Sequence, residues 1–239
     1  MIKLDLTREL PPWTELLLYL VGGLGIFTLC SYGIHFFFTE ITLWLSLTVF
    51  CLNVVCLGGC FYFLGVRRGK VTLSQLGLFP ARWHWRWLLA AIVLSIIFIP
   101  IRSIIGAMVE FLLVGNFESL TIRSAILTGG GDFSWFSFAL NFLGAALVVP
   151  ISEELYFRGL IHSMFQRYMD FWPRMLLSSA LFGLAHVDSI GVIISSFILG
   201  LVNAAAYEKS KSLWLPIAMH MITNGFAISF VYLAKFLGI

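Results

Sequence analysis

The chain has 239 residues, of which 60% are apolar and only 11% are charged. Soluble domains average about 45–50% apolar and about 25% charged residues, so this composition excludes an ordinary soluble enzyme and a disordered chain. The net charge of +3 is too small for a protein that binds nucleic acid. These proportions predict a polytopic membrane protein.

Seven segments are apolar enough to form membrane-spanning helices, which need about 20 mostly apolar residues. In chain order they are 16–39, 41–66, 87–114, 133–152, 175–187, 189–207 and 212–234. Backbone groups in lipid must form their hydrogen bonds within the segment, so helices are expected. The sequence therefore predicts an all-α transmembrane bundle of about seven spans, within a range of six to eight.

The basic residues are concentrated in three of the loops between these segments. Residues 67–86 carry five Lys or Arg residues, residues 158–174 carry three, and the third loop carries Lys209 and Lys211. With seven spans all three loops lie on one side of the membrane. The positive-inside rule predicts that this side and the N-terminus are cytoplasmic. We expect a multi-pass protein of the cell (inner) membrane.

The chain is expected to have two regions. Residues 67–86 are polar and rich in tryptophan, as is typical of a membrane interface. They are predicted to form an interfacial loop, where a short amphipathic helix could lie on the membrane surface. After Phe133, polar residues become denser within the apolar segments. We therefore predict N-terminal membrane helices over 1–130 and a catalytic core over 131–239.

Polar and ionisable residues at membrane depth are costly and usually functional. The candidates are Glu110, Glu153, Glu154, Arg158, His186, His220 and Asn224, with Arg102 and Asp188 behind them. Arg102 and Glu110 are about two helical turns apart and so share a helix face. They are expected either to pair with other helices, to line a cavity entrance, or to lie near the outer interface.

The first candidate cluster is Glu153, Glu154 and Arg158. On an α-helix, residues four apart stack and adjacent residues diverge by about 100°. Glu154 and Arg158 should therefore pair, in the favourable acid-before-base order. Glu153 then points elsewhere, and a carboxylate without a cation in a site of low dielectric suits a general base. The alternative is a helix end that emerges into solvent.

Three further polar residues lie in apolar helices: His186 near a helix end, and His220 with Asn224 four apart on one face. The pair could join helices by hydrogen bonds or donate to an oxyanion. At ~1.5 Å per residue, Glu153, His220 and His186 lie about 8, 12 and 17 Å from the same membrane face. We therefore expect them to converge in one buried cavity that is open to the cytoplasm.

Three motifs, in order and on separate helices, resemble those of the CAAX-protease and bacteriocin-processing family, also called the Abi family of intramembrane proteases. The family patterns are E-E-x-x-x-R, F-x-x-x-H and H-x-x-x-N/D. Here they are Glu153-Glu154 to Arg158, Phe182 to His186, and His220 to Asn224. The family includes the type II CAAX prenyl endopeptidases. The resemblance covers roughly residues 135–235, whereas the first 130 residues match only in being membrane-spanning.

The resemblance implies a glutamic-type intramembrane peptidase that hydrolyses a peptide bond without an acyl-enzyme. Glu153, together with His186, would activate the attacking water. His220 and Asn224 would stabilise the tetrahedral oxyanion.

The same resemblance implies that Glu154 and Arg158 support the site structurally. No cofactor is predicted, but the metal question stays open. Glu153, His186 and His220 also make a carboxylate-and-two-imidazole set of the kind that holds a catalytic zinc.

The expected partners are the lipid bilayer and a membrane-anchored or lipidated protein or peptide substrate, and not nucleic acid. One competing hypothesis is a non-catalytic scaffold or bacteriocin-immunity protein, in which replacing Glu153 changes nothing. Another is a proton-coupled transporter, which predicts a pore lined from both membrane sides and broken half-helices.

Overall fold

The computed structural model describes residues 11–34, 36–79, 84–186 and 189–238, and within these ranges it is a bundle of eight helices without strands. The helices are α1 (Pro12–Ile34), α2 (Leu43–Val66), α3 (Trp85–Val114), α4 (Glu118–Thr128), α5 (Trp135–Phe165), α6 (Phe171–Leu184), α7 (Ile190–Ser210) and α8 (Trp214–Leu237). The predicted all-α bundle is confirmed.

Six of the described helices are long and apolar enough to cross a membrane, which lies within the predicted range of six to eight. The predicted span that is not among these six is 175–187, which corresponds to α6. It has 14 residues, so it is about 21 Å long against a hydrocarbon core of about 30 Å. A helix shorter than the hydrocarbon core can be accommodated here because α6 packs against α7 within the bundle.

The three basic loops lie at one end of the bundle, together with the start of α1. The Glu15 carboxylate binds the guanidinium of Arg167 at 2.7 Å and lies 3.9 Å from the Lys70 ammonium. The Glu208 carboxylate, at the end of α7, binds Arg174 of α6 at 2.6 Å. We call this end of the molecule the basic end. The prediction that these loops share one side is confirmed, and the cytoplasmic assignment of that side stays a prediction.

The described part of the predicted interfacial loop, residues 67–79, forms a series of turns and not an amphipathic helix. The turns are fixed to the bundle, because the Leu213 amide donates to the Leu76 carbonyl at 2.9 Å and the Ser212 hydroxyl donates to the Gly77 carbonyl. Gly77 has a φ of +66°, and a Cβ there would lie 2.5 Å from the Lys211 carbonyl oxygen. Trp83 lies outside the described residues.

Helix α5 is irregular on both sides of the two glutamates. Residues Phe142–Val148 and Leu155–His162 form wide π-helical turns, and the α-helical turn Val149–Glu154 lies between them. Such π-turns are uncommon and occur frequently at functional sites. They rotate the residues that follow them relative to a regular helix, so spacing alone does not determine which residues of other helices each side chain of α5 meets.

Helix α3, from the first half of the chain, packs closely against α7 from the second half. A Cβ atom on Gly106 would lie 2.6 Å from the carbonyl oxygen of Gly191, and one on Gly191 would meet the carbonyl oxygen of Gly106. Small residues allow such close approach of helices in membrane proteins. The division into 1–130 and 131–239 stays a prediction, since the two parts share this interface.

Candidate active site

The Glu154 carboxylate is the most heavily bonded group in the centre of the bundle. Its Oε1 accepts hydrogen bonds from Arg158 at 3.1 Å, from the Asn203 amide at 2.9 Å, and from the His220 ring at 2.8 Å. The side chain is completely buried. The predicted pairing of Glu154 with Arg158 is present, and the three bonds together join α5, α7 and α8.

Arg158 is a buried cation whose guanidinium contacts partners on α5, α6 and α7. Besides Glu154, its guanidinium donates to the Gly200 carbonyl at 3.1 Å and lies 4.4 Å from the centre of the Phe182 ring. A buried charge is stable only when it is paired and hydrogen-bonded. The interpretation of this helix end as solvated is therefore wrong, because Arg158 is 1% exposed.

Glu153 has a different environment, as the divergence of adjacent residues predicts. Its Oε1 accepts a hydrogen bond from the Asn53 amide of α2 at 2.9 Å. The Asn53 side-chain oxygen in turn accepts from the Ser152 hydroxyl at 2.7 Å. The second oxygen, Oε2, lies 3.7 Å from Nε2 of His220. One carboxylate oxygen is thus held in place and the other faces the imidazole.

His220 lies between the two glutamates. Because Nδ1 bonds the carboxylate of Glu154, that nitrogen carries a proton and Nε2 is directed toward Glu153. A carboxylate on one ring nitrogen sets the orientation of the ring. The pair Glu154 and His220 therefore presents an imidazole edge beside the second glutamate.

His186 lies just after α6 and is held by a residue of that helix. Its Nδ1 bonds the Phe182 carbonyl oxygen at 2.9 Å, so Nδ1 carries the proton. The Phe182 ring lies 5.0 Å from the ring of His186 and 5.6 Å from the ring of His220. This aromatic residue thus separates and orients both histidines.

Asn224 lies one turn beyond His220 on α8 and lines the same cavity. Its amide donates to the Ala145 carbonyl in a π-helical turn of α5 at 3.0 Å. An amide nitrogen carries two hydrogens, so the second N–H is available for a ligand. The structure therefore brings the predicted residues Glu153, His186, His220 and Asn224 to one cavity.

That cavity has a volume of about 440 Å³. Its wall is largely apolar and includes Leu24, Phe27, Leu45, Val49, Ile126 and Leu127. The wall continues to Tyr32, near the end of α1, and to Arg123 on α4. Both positions lie away from the basic end. Between Glu153 and the basic end, the space is filled by the buried side chains of Tyr156 and Leu160. The cavity thus extends toward the opposite end, in contrast to the expectation of a cavity open on the side of the basic loops.

The remaining candidates have different positions. Arg102 lines the cavity, which is one of the alternative positions predicted for it from the sequence. Glu110 lies outside the cavity, where it accepts hydrogen bonds from Ser119, Ser189 and the amide of Gly191. It joins α3 to the start of α7. Asp188 lies outside the described residues.

Two residues of the site are absent from the sequence-based set. Asn53, on α2, orients Glu153, and Asn203, on α7, orients Glu154. Each lies in a long uncharged segment, 41–66 or 189–207, and an amide at that depth is itself a signal of a polar partner. The sequence does not reveal these partners, because Asn53 lies 100 positions from Glu153 and Asn203 lies 49 positions from Glu154.

The described side chains form no complete set of metal ligands. No group of three or more His, Cys, Asp or Glu residues in the described ranges has the geometry to hold a metal ion. Of the side chains considered as zinc ligands, Glu153 bonds the Asn53 amide through Oε1 and His220 bonds Glu154 through Nδ1. Neither bond uses Oε2 of Glu153 or Nε2 of His220, and a zinc ligand often has such a carboxylate partner on its other ring nitrogen, so the zinc alternative stays open. No step through a metal is derived below.

The fold and this cavity define a polytopic helical membrane protein with a buried carboxylate–histidine site. Residues 134–226 match the family model described as type II CAAX prenyl endopeptidase Rce1-like. The match contains all three motifs, from Glu153 to Asn224. The resemblance seen in the sequence is confirmed over this segment.

Three curated proteins are similar to part of the chain. "Putative membrane peptidase YdiL" of Bacillus subtilis is 30% identical over 89 residues, which is 37% of this chain and 36% of that protein. "Membrane-embedded CAAX protease MroQ" of Staphylococcus aureus is 33% identical over 91 residues, 36% of each chain. An "Uncharacterized 24.3 kDa protein" of Escherichia coli is 33% identical over 86 residues, 34% of this chain and 40% of that protein. The matched segments span well under half of these relatives, and no solved structure matches significantly.

Proposed function

We propose that this protein is an intramembrane endopeptidase in which Glu153 activates water to hydrolyse a peptide bond. The observation that carries the proposal is the pairing of Glu153 with His220, 3.7 Å apart at the inner end of an apolar cavity. Each of the two is held by a buried partner of its own, Asn53 or Glu154. The names of two relatives and the matched family model add support.

In the first step Glu153 takes a proton from a water molecule as the water oxygen attacks the scissile carbonyl carbon. The hydrogen bond from Asn53 fixes Oε1, and Oε2 is the atom that accepts the proton. His186 lines the same cavity and is the second residue proposed to orient the water. A positioned general base of this kind contributes about 10²–10⁴-fold in rate.

In the second step the carbonyl oxygen becomes an oxyanion and needs hydrogen-bond donors. The free N–H of Asn224 is one donor. In this proposal the other donor is Nε2–H of His220 in its imidazolium form, with the ring held in place by the Glu154 carboxylate at Nδ1. Donors that are fixed before the reaction cost no reorganisation when charge develops.

In the third step the C–N bond breaks, and Glu153 gives the proton it received to the leaving amine. The products are a carboxylic acid and an amine, with one water consumed. No covalent intermediate with the protein forms.

The proposed substrate is a membrane-anchored or lipidated peptide. The largely apolar wall of the cavity favours apolar substrate groups over polar ones. The basic end is assigned to the cytoplasm by its lysine and arginine residues, which puts the N-terminus of α1 on the cytoplasmic side of the cell membrane.

The test compares the termini of membrane proteins by mass spectrometry in cells that express the wild type or Glu153→Gln at equal abundance. Glutamine keeps the oxygen that accepts from Asn53 and removes the base. We expect a set of cleaved termini to disappear in the variant, because the rate should fall about 10²-fold or more.

The matched control is Glu40→Gln, which changes an exposed carboxylate and should leave the termini unchanged. Identical termini in wild type and Glu153→Gln cells, with the variant folded and the phenotype of the cells normal, would favour the non-catalytic scaffold. With a purified substrate, activity that is lost on chelation and restored by zinc would contradict the metal-free mechanism.

A further inference from the structure

Helix α4 separates the far part of the cavity, which is the part away from the basic end, from the outside of the molecule. Ile126 and Leu127 line the cavity. Glu118 and Thr121, on the other side of the same helix, are exposed. The helix has 11 residues, so it is about 16 Å long and does not cross the membrane. The wall of the cavity is therefore one short helix thick at this end.

The helix is held by little buried surface. Of its 11 residues, Thr128 alone is buried, whereas ten of the 21 residues of α7 are buried. Segments with few buried contacts open locally at a low cost in free energy, and mobile active-site lids are drawn from such segments. Helix α4 can therefore move while the rest of the bundle stays folded.

Glycines lie at both ends of α4. Gly115 precedes the helix with a φ of +80°, and Gly129, Gly130 and Gly131 follow it with φ values of +75°, +63° and +55°. Nothing lies within 4 Å of the Cβ position of Gly115 or Gly131, so these two positions need glycine for its backbone and not for space. Glycine takes up positive and negative φ about equally readily, which makes both ends suitable pivots.

Two serine hydroxyls attach α4 to neighbouring helices. The Ser119 hydroxyl donates to the Glu110 carboxylate of α3, and the Ser46 hydroxyl of α2 donates to the Ile126 carbonyl. Both bonds can break while the backbone hydrogen bonds of α4 stay intact. Each bond of this kind changes the ratio of closed to open forms by about 2- to 10-fold.

We propose that α4 is a lid that moves on its terminal glycines and admits the peptide substrate to Glu153 from the end opposite the basic end. The inference rests on the proposed peptidase function and adds the route of entry. On the other side of Glu153, the buried side chains of Tyr156 and Leu160 fill the space. Closure of a lid over a bound substrate shields the reaction from bulk water.

The experiment measures access to the cavity and not hydrolysis. Val49, which lines the cavity, is replaced by cysteine in the full-length chain without its four native cysteines. Its reaction rate with a charged methanethiosulfonate reagent is measured in detergent micelles, and Lys211→Cys at the basic end gives the rate of an exposed thiol. We expect Val49→Cys to react more slowly than Lys211→Cys. Adding Ser119→Ala or Ser46→Ala should raise the Val49→Cys rate by about 2- to 10-fold.

The matched controls are Thr121→Ala on α4 and Thr48→Ala on α2, since each of these hydroxyls bonds a carbonyl of its own helix. Both should leave the Val49→Cys rate unchanged. A cysteine in place of Met164, in the core near the basic end, should stay protected in every variant, which separates opening of the lid from unfolding. Equal rates for the serine and threonine variants, or a Val49→Cys rate equal to that of Lys211→Cys, would overturn the proposal.

A second measurement needs no change in the lid. Hydrogen–deuterium exchange of the wild type should be faster for the amides of residues 118–128 than for those of residues 190–210. Exchange that is as slow in α4 as in α7 would overturn the lid, whatever the variants show.

Entry from the lipid between two spanning helices is the competing route. It would leave the Val49→Cys rate insensitive to Ser119→Ala and Ser46→Ala, and so overturn the proposal. Labelling that responds to both serines without any peptide cleavage by the wild type would contradict the peptidase function and leave the lid standing.

Discussion

The contacts of Phe182 explain why the F-x-x-x-H motif has an aromatic residue four positions before His186. Its carbonyl oxygen accepts from His186, and its ring contacts the rings of His186 and His220 and the Arg158 guanidinium. The side chain is completely buried. One residue thus sets the positions of two proposed catalytic rings and of the cation that pairs with Glu154.

Replacement of Asn53 tests whether Glu153 must be held in place. Asn53→Leu keeps the approximate shape but removes both hydrogen bonds, to Glu153 and from Ser152. We expect kcat to fall by up to about 100-fold with a smaller change in KM, because a misplaced base loses its alignment with water. Steady-state kinetics on a substrate identified from the cleaved termini measure both constants.

The control for that variant is Asn141→Leu. Asn141 is equally buried in the bundle but donates to the Tyr232 hydroxyl, away from the cavity. It should lower stability without a specific loss in kcat. Equal kcat values for the two variants would show that Asn53 has no positioning role.

Replacement of Arg158 tests the buried ion pair. Arg158→Gln leaves Glu154 without its cation in the centre of the bundle. Removal of one partner of a buried pair costs about 3–5 kcal/mol, so we expect a large fall in the unfolding temperature in detergent. Arg67→Gln, at an exposed position, should change stability by less than about 0.5 kcal/mol. Similar unfolding temperatures for the two variants would contradict this account.

At the scale of elements, the contact between α3 and α7 is what places Arg102 beside the cavity. The two glycines of this contact allow the backbones to approach, and the Glu110 carboxylate then bonds the start of α7 through Ser189 and Gly191. Four residues beyond Gly191, Ser195 bonds Arg102. A change in the separation of these helices would therefore alter the far part of the cavity.

Substitution of Gly191 by alanine tests this contact. The added Cβ would meet the carbonyl oxygen of Gly106, and such overpacking costs about 1–3 kcal/mol. We expect a lower unfolding temperature for Gly191→Ala. Gly59→Ala, in α2, is the matched control, because nothing lies within 4 Å of its Cβ position. The control should be neutral or stabilising by up to about 1 kcal/mol, and an unfolding temperature of Gly191→Ala as high as that of the control would argue against close packing.

At the scale of the whole molecule, the basic end and the cavity lie on opposite sides of the Glu154 cluster. The ion pairs of Glu15 and Glu208 hold the basic loops together, and the cavity wall runs from Glu153 toward α4. If the basic end is cytoplasmic, the cavity extends toward the outer leaflet. The orientation therefore decides from which side a substrate reaches Glu153.

Labelling of single cysteines tests the orientation. Lys211→Cys at the basic end and Glu118→Cys on α4 are placed in a chain from which Cys30, Cys51, Cys56 and Cys60 have been removed. An impermeant maleimide should label position 118 in intact cells and position 211 only after permeabilisation, since the positive-inside rule places the basic end in the cytoplasm. The reverse pattern would invert the proposed orientation.

The sequence by itself determined the class of the molecule and its local chemistry. Apolar segments of about 20 residues can be satisfied in lipid only as helices, so the bundle and its long helices follow from composition. The pairing of Glu154 with Arg158 follows from the helical repeat, because the partners are four residues apart. The placement of the basic loops at one end follows from the order of the helices.

Only the tertiary structure decided which groups meet across the bundle. Asn53 bonds Glu153 from a hundred residues away, His220 reaches Glu154 from a third helix, and Arg102 bonds Ser195 across the α3–α7 contact. Hydrogen bonds of this kind depend on how the helices pack and rotate, which the wide turns of α5 alter locally. The direction of the cavity depends on the same packing, which helical periodicity does not encode.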